Sequence, residues 1–249
     1  MTIERGAVWA IIPARSGSSV KDKNIRSLAG HPMISYSIAV AKMVPEISRV
    51  IVSTDSEEYA TISRHYGAEV PFIRPKDISG SKSTDIEFME HAIGWFKQNE
   101  GTLPEFWVHL RPTTPLRDSK IVQKAIIQMK NDKQATSLRS AHVTDYCPFK
   151  WFKMNEDGYF ETFDGITLDE ANNPRQSFPK TYVPNGYVDI IKTEYIINNH
   201  KMHGTKMIGF EVPQVVDVDY EKDIRELNES IINYSGPVLE WLNIKKSDF

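Results

Sequence analysis

The sequence predicts an α/β protein with a mainly parallel sheet flanked by helices and an antiparallel excursion in its second half. Three observations carry this reading. Short β-branched or apolar runs alternate with helical patterns through the first 130 residues, the signature of strand-loop-helix units. The leading run, Ala7–Pro13, is continuously apolar, as a strand buried on both faces requires. From about 135 to 191 the helical rhythm stops, and aromatics, prolines and short strand-like pieces take over.

Taken in order, Ala7–Pro13 is the first strand, and a polar loop runs from Ala14 to Asn24. Pro32 opens a helix that sets Ile34, Ile38 and Ala41 on one face, since proline suits the first turn and that spacing makes one stripe. Arg49–Thr54 is the next strand, Asp55–Tyr66 a helix, and Gly67 its terminator. Val70–Ile73 reads as a third strand, and Asp85–Gln98 as a helix burying Phe88, Ala92 and Phe96. Phe106–Leu110 is a strand, followed by the turn-rich RPTTPLRDS and a helix from about Lys120 to Lys130. After the excursion, Met207–Val218 returns to strand character, and Tyr220 onward is helical. No internal repeat or low-complexity tract interrupts the chain. One domain, 1–249, with a lid or dimerisation excursion at about 135–191, accounts for the pattern.

Composition narrows the function classes. The 249 residues are 40% apolar and 25% charged, with a formal net charge of −3, the balance of a soluble globular protein with no general affinity for nucleic acid. Ala7–Pro13 is too short for a signal-peptide core, and no stretch reaches the roughly 20 apolar residues of a membrane span. Cys147 is the only cysteine, so the chain can form neither an internal disulfide nor a cysteine-based metal site. The expected compartment is the cytoplasm, with no membrane and no nucleic acid among the partners.

The loop after the first strand reads ARSGSSVKDKNI. Arg15, Lys21 and Lys23 stand beside Ser16, Gly17, Ser18 and Ser19, whose small side chains let backbone N–H groups approach a ligand. Such a loop leaves the carboxyl end of a leading parallel strand, where open α/β sheets bind ligands. Cations and free amides there suit phosphate. The glycines of a Walker loop or a GxGxxG turn are missing, so an ordinary solvated loop stays open on charge alone. Further on, Asp217 and Asp219 lie two apart in VVDVDYEKD. On extended backbone both carboxylates face one side, and a close carboxylate pair plus phosphate oxygens suits Mg²⁺. Two solvent-facing aspartates are the plainer reading of a D-x-D taken alone.

The ordered blocks IIPARSGS…KDKNI, VIVSTD, GAEVPFIRP, LRPTTPLR, RQSFPKTYVPNG and VDVDYEKD together resemble the acylneuraminate cytidylyltransferase family, whose members activate sialic acid and related nine-carbon keto acids. The resemblance implies a Rossmann-like nucleotide-diphospho-sugar transferase fold and a typically dimeric enzyme. It also implies that CMP passes from CTP to the anomeric hydroxyl of a 2-keto-3-deoxy sugar acid, with release of pyrophosphate. Carried over by position, Arg15, Ser18, Lys23 and Asn24 contact CTP, Arg74 lies near the nucleotide, and backbone near Arg74 and Ser81 meets the base. Asp217 and Asp219 match the pair that holds the catalytic Mg²⁺. Lys150 and Arg175 match the acidic-sugar side, with Arg175 facing the carboxylate, and Asn185 and Gly186 match a turn lining the pocket.

The sequence departs from the family at three places. Ser19 stands where a lysine is usual and the loop is one residue shorter, so Lys21 is expected to supply the missing charge. Arg111 replaces a common glutamine, and Asp189 stands near a position usually held by tyrosine; both bear on which sugar substituents are tolerated, and a legionaminate-like acid is as consistent as N-acetylneuraminate. The aromatics from Tyr146 to Phe163 suit a core or a homodimer contact, and the seven histidines show no ligand spacing. Three alternatives stay open: an eight-carbon Kdo-like acceptor, whose STRLPGK loop pattern is absent, a sugar-phosphate nucleotidyltransferase, and a weakly catalytic nucleotide-binding homologue with the shortened loop.

Overall fold

A computed structural model describes residues 1–17, 20–163, 165–231 and 236–246. Among these residues, ten strands and seven helices follow one another as β1 (Thr2–Ala14), β2 (Ser27–Leu28), β3 (His31–Pro32), α1 (Met33–Met43), β4 (Ile47–Thr54), α2 (Glu57–His65), α3 (Asp85–Asn99), β5 (Thr102–His109), α4 (Ser119–Asn131), β6 (Ser137–Val143), β7 (Phe152–Met154), β8 (Phe160–Thr162), β9 (Tyr182–Lys192), α5 (Thr193–Asn199), β10 (Met207–Glu211), α6 (Glu221–Ile231) and α7 (Pro237–Lys246).

Six strands form the central sheet in the order β10-β6-β9-β5-β1-β4. β1 is parallel to β4 and β5, and β6 is parallel to β10. Strand β9 runs the other way, antiparallel to both β5 and β6. The expected mainly parallel sheet is present, and it is β1 that organises it. Val8, Ala10 and Ile12 join the apolar layer that includes α1, α4, α6 and α7, while Trp9 and Ile11 join the layer that includes α3 and α5. Successive side chains of a strand point to opposite faces, so a continuous apolar run is what a sheet covered on both sides demands.

Four boundaries differ from the sequence reading. β1 starts at Thr2 because Thr2–Glu4 pair with Thr102–Pro104 of β5, a ladder that hydrophobicity does not report. Val70–Ile73 lies along β4 through isolated bridges only, Ile51 with Glu69 and Thr54 with Ile73; Pro71 and Pro75 have no N–H to give a ladder. The strand from Met207 stops at Glu211, just before Pro213, for the same reason. Residues 135–191 are not all excursion: β6 and β9 belong to the sheet, and the arm that leaves it is 144–181. Within the arm, β7 and β8 form an antiparallel hairpin. Asn155 Oδ1 accepts from the N–H groups of Asp157 and Tyr159, and Gly158 supplies the positive φ of +85° that closes the turn.

Candidate active site

The carboxyl ends of the parallel strands β1 and β5 open into a cleft of about 760 Å³. Arg15, Lys23, Arg74, Ser81, Asp85, Phe88, Arg111, Thr113 and Asp219 are among the residues on its wall. It occupies the edge of an α/β sheet where the chain's loops converge.

The loop after β1 is held from below. Ser16 donates through both its backbone N–H and its hydroxyl to the two oxygens of Asp55, each at 2.8 Å. Asn24 Nδ2 donates to the Arg15 carbonyl at 3.0 Å. Asp55 sits just past the end of β4, so two neighbouring strand ends are tied together by one carboxylate. Arg15 donates from Nη1 to the Gly80 carbonyl, a neutral partner that leaves its positive charge uncompensated by that bond. Lys23 is buried to 8% exposure; its Nζ donates to the Val218 carbonyl at 2.8 Å and lies 3.5 Å from Asp219 Oδ1. Arg74 is likewise buried, its Nη2 donating to the Ser53 carbonyl at 3.1 Å and its guanidinium 5.7 Å from the centre of the Phe88 ring. Burial lowers the Arg74 pKa, with Asp55 opposing that shift.

On the other wall, Arg111 Nη1 donates to Asp189 at 2.8 Å and Nη2 to Asp85 at 2.7 Å. Behind it, Arg117 is almost fully enclosed. It donates from Nε to the Tyr187 carbonyl, from Nη1 to Ser37 Oγ, and from Nη2 to the carbonyls of Arg111 and Gly186. Burial pushes its pKa down to about 9. These bonds lock the RPTTPLR turn against Asn185–Gly186, which lie within β9 at an irregularity in its pairing with β6 and not in the expected turn. Gly186 has φ +66°, and a Cβ there would come within 3.1 Å of Thr114 Oγ1, 3.3 Å of Arg111 Cδ and 3.7 Å of Asp217 Oδ2. Only glycine allows that approach.

Val218 is fully buried between exposed Asp217 and Asp219, and its N–H donates to the Thr113 carbonyl at 2.8 Å. The alternation expected of an extended segment is therefore present outside any sheet. Two exposed carboxylates, of which Asp219 stands 3.5 Å from Lys23 Nζ, form a hard-oxygen donor set that fits Mg²⁺ completed by phosphate oxygens and water. Among the described residues, no group of three or more His, Cys, Asp or Glu side chains could hold a metal unaided.

The structure brings Arg15, Lys23, Asn24, Arg74, Ser81, Arg111 and Asp219 to one cleft. Asp189 braces Arg111 from beneath. Asn185 works within the fold, its Oδ1 accepting from Ser140 Oγ and the Tyr187 N–H. Lys21 is exposed and is not on the cleft wall. Lys150 and Arg175 stand on the arm: Lys150 donates to the Asn173 carbonyl, and Arg175 pairs with Asp145 at 2.7 Å beside a separate cavity of about 230 Å³. Ser18 lies outside the described residues. Sequence reasoning did not single out Asp55, Asp85 or Arg117. Asp55 and Arg117 sit inside quoted blocks, and their signal was position: a charged residue one step beyond a strand or at the end of a proline-rich turn.

The family model described as cytidylyltransferase matches residues 9–199. A CMP-N,N'-diacetyllegionaminic acid synthase of Legionella pneumophila is 33% identical, over 90% of this chain and 99% of its own. The post-translational flagellin modification protein B of Campylobacter coli is 32% identical, over 88% and 92%. An N-acylneuraminate cytidylyltransferase of Escherichia coli is 26% identical over 98% of this chain, which spans 58% of that relative's length. Among solved structures, a CMP:2-keto-3-deoxy-manno-octonic acid synthetase complexed with CTP superposes with a TM-score of 0.68 at 14% identity, covering 91% of this chain and 98% of the other. At that identity the likeness speaks for the fold.

Proposed function

The chain belongs to the cytidylyltransferase family, and from that premise we propose that it transfers CMP from CTP to the anomeric hydroxyl of a nine-carbon 2-keto-3-deoxy sugar acid, an N-acylneuraminate or a legionaminate-like relative. The observation that carries the reading is the convergence of Arg15, Lys23 and Arg74 with Asp219 in one cleft at the strand ends. The three cations face a triphosphate. The acceptor hydroxyl forms its bond to the α-phosphorus as the bond to the β-phosphate oxygen breaks, its proton passes to solvent or a base, and pyrophosphate departs. Arg15 and Lys23 stabilise the charge that gathers on the leaving group, in a site already organised before substrate arrives.

Asp217 and Asp219 would hold Mg²⁺, which when bound neutralises phosphate charge and aligns the displacement. Phe88 and the backbone around Ser81 offer an apolar face and hydrogen-bonding groups for the base. The arm, with Tyr146, Trp151, Tyr159, Phe160 and Phe163 exposed, is the proposed homodimer contact, and Lys150 and Arg175 on it are the proposed carboxylate-binding cations. No described helix is long and apolar enough to cross a membrane; the cytoplasm, where CTP is found, is the proposed compartment.

The test is a pyrophosphate-release assay crossing four nucleoside triphosphates with a panel of nonulosonic acids and an eight-carbon acid. CTP with a nine-carbon acid should be fastest, and only with divalent metal. Faster turnover with GTP or UTP, or with the eight-carbon acid, overturns the assignment.

A further inference from the structure

Arg111 projects from the end of β5 onto the cleft wall, yet its charge is already answered. One edge of the guanidinium bonds Asp189, which is 1% exposed, and the other bonds Asp85 at the first turn of α3. Arg139 Nε stands 3.7 Å from Asp189 Oδ1, and both of those atoms are buried with no hydrogen bond among the described residues. The cluster therefore holds two arginines and two aspartates and sums to zero. A buried carboxylate such as Asp189 is costly unless a cation faces it, so Asp189 and Arg111 fix one another.

This pairing changes what the wall can recognise. A lone arginine in a cleft attracts a second anion, but an arginine clamped between two carboxylates does not, because Asp85 also lines the cleft and repels one. What remains at the surface is a donor and an acceptor side by side: the guanidinium N–H groups beyond the two already used, since a guanidinium carries five, and the half-exposed Asp85 carboxylate. Resting on the CMP-transfer reading above, we propose that Arg111 and Asp85 are a charge-balanced specificity pair for a neutral acceptor substituent bearing both a hydrogen-bond acceptor and a donor, an acylamido or hydroxyl group, with Asp189 as the residue that positions Arg111. The pair selects against acceptors that place an additional anion at this point.

The test uses the full-length enzyme at saturating CTP with nonulosonic acids matched except at one carbon, bearing acylamido, hydroxyl or carboxylate there. Wild type should use the two neutral acceptors with kcat/KM about tenfold or more above the anionic one, the size of one charge-assisted contact. The ratio of the two neutral acceptors says which group is read. Arg111→Gln should raise acceptor KM about tenfold with CTP KM within about twofold. Asp85→Asn, at a half-exposed position that does not threaten folding, should narrow the discrimination against the anionic acceptor. Asp189→Asn should act in the same direction, and adding it to Arg111→Gln should cost little more, since coupled residues are not additive. Wild-type preference for the anionic acceptor, or variants that keep wild-type acceptor KM and selectivity, overturns the inference alone. Wild type that turns over none of the acceptors with CTP removes the functional reading and the inference with it.

Discussion

In the cleft, charge is buried and answered: Arg74, Arg117, Lys23 and Asp189 are each less than a tenth exposed, and each bonds a carbonyl or an opposite charge. In the arm, apolar surface is left in the open, with Tyr146 at 74% and Tyr159 at 71% exposure and Ala171 its one buried apolar residue among those described. The cleft walls come from strands of the sheet and from turns pinned to them, so their geometry is set by the fold. The arm carries two ring stacks, Phe149 on Phe178 and Phe152 on Phe160, but little beneath them. Exposed rings on this scale mark a surface built for contact. The contrast sets a preorganised cleft against the arm proposed above for association, and substitutions in the two regions should fail in different ways.

The largest effect belongs to the carboxylate pair. Asp219→Asn or Asp217→Asn should lower CMP-sugar formation about a hundred-fold or more, several kcal/mol of transition-state stabilisation, with the melting temperature unchanged because both side chains are exposed. Wild-type rates at limiting Mg²⁺ in both variants would make the pair structural. Lys23→Ala should follow, at about ten- to a hundred-fold in kcat, with a loss of stability as well, since Lys23 Nζ also holds the Val218 carbonyl.

Arm variants should leave that chemistry in place and act on assembly. Trp151→Ala combined with Tyr159→Ser should weaken the proposed dimer by about 2 kcal/mol or more, the scale of an aromatic hot spot, read by sedimentation across a dilution series. An unchanged sedimentation profile would return the arm to the role of a lid.

The cleft also predicts a pH dependence that the arm does not. Burial holds His109 neutral, its pKa lowered to about 4 from an unfolded value of 6.5, with Arg111 acting in the same direction. The unfolded chain thus binds a proton that the folded chain refuses, so this stability is complete above pH 6.5 and is lost as pH falls toward 4. Between pH 7 and pH 5 the unfolding free energy should drop by about 2 kcal/mol through this group, and His109→Gln should remove that part of the slope in urea titrations. The smallest effect is expected at Lys21. It is exposed and off the cleft wall, so Lys21→Ala should change kcat less than about twofold, as solvated charges do; a loss equal to that of Lys23→Ala would show that the loop closes over substrate.

Much of this was legible in the sequence. The apolar run of β1, the helices from Met33 and Asp85, the loop cations Arg15 and Lys23, and the Asp217–Asp219 spacing could be read because they depend on local periodicity and residue type. What stayed hidden depends on residues far apart in the chain. Arg111 and Asp189 read as two separate departures from a family pattern, and it is the pairing of β5 with β9, placing His109 opposite Asp189, that makes them one ion pair. Asp55 reads as the end of a strand until β1 and β4 lie side by side and its carboxylate meets Ser16. The sequence by itself determined which segments become strands and helices and which residue types could bind phosphate and metal, because backbone propensity and charge are local. Only the tertiary structure decided which charges are answered and which are offered to a ligand, because an ion pair's strength depends on burial and on a partner that chain order does not bring near.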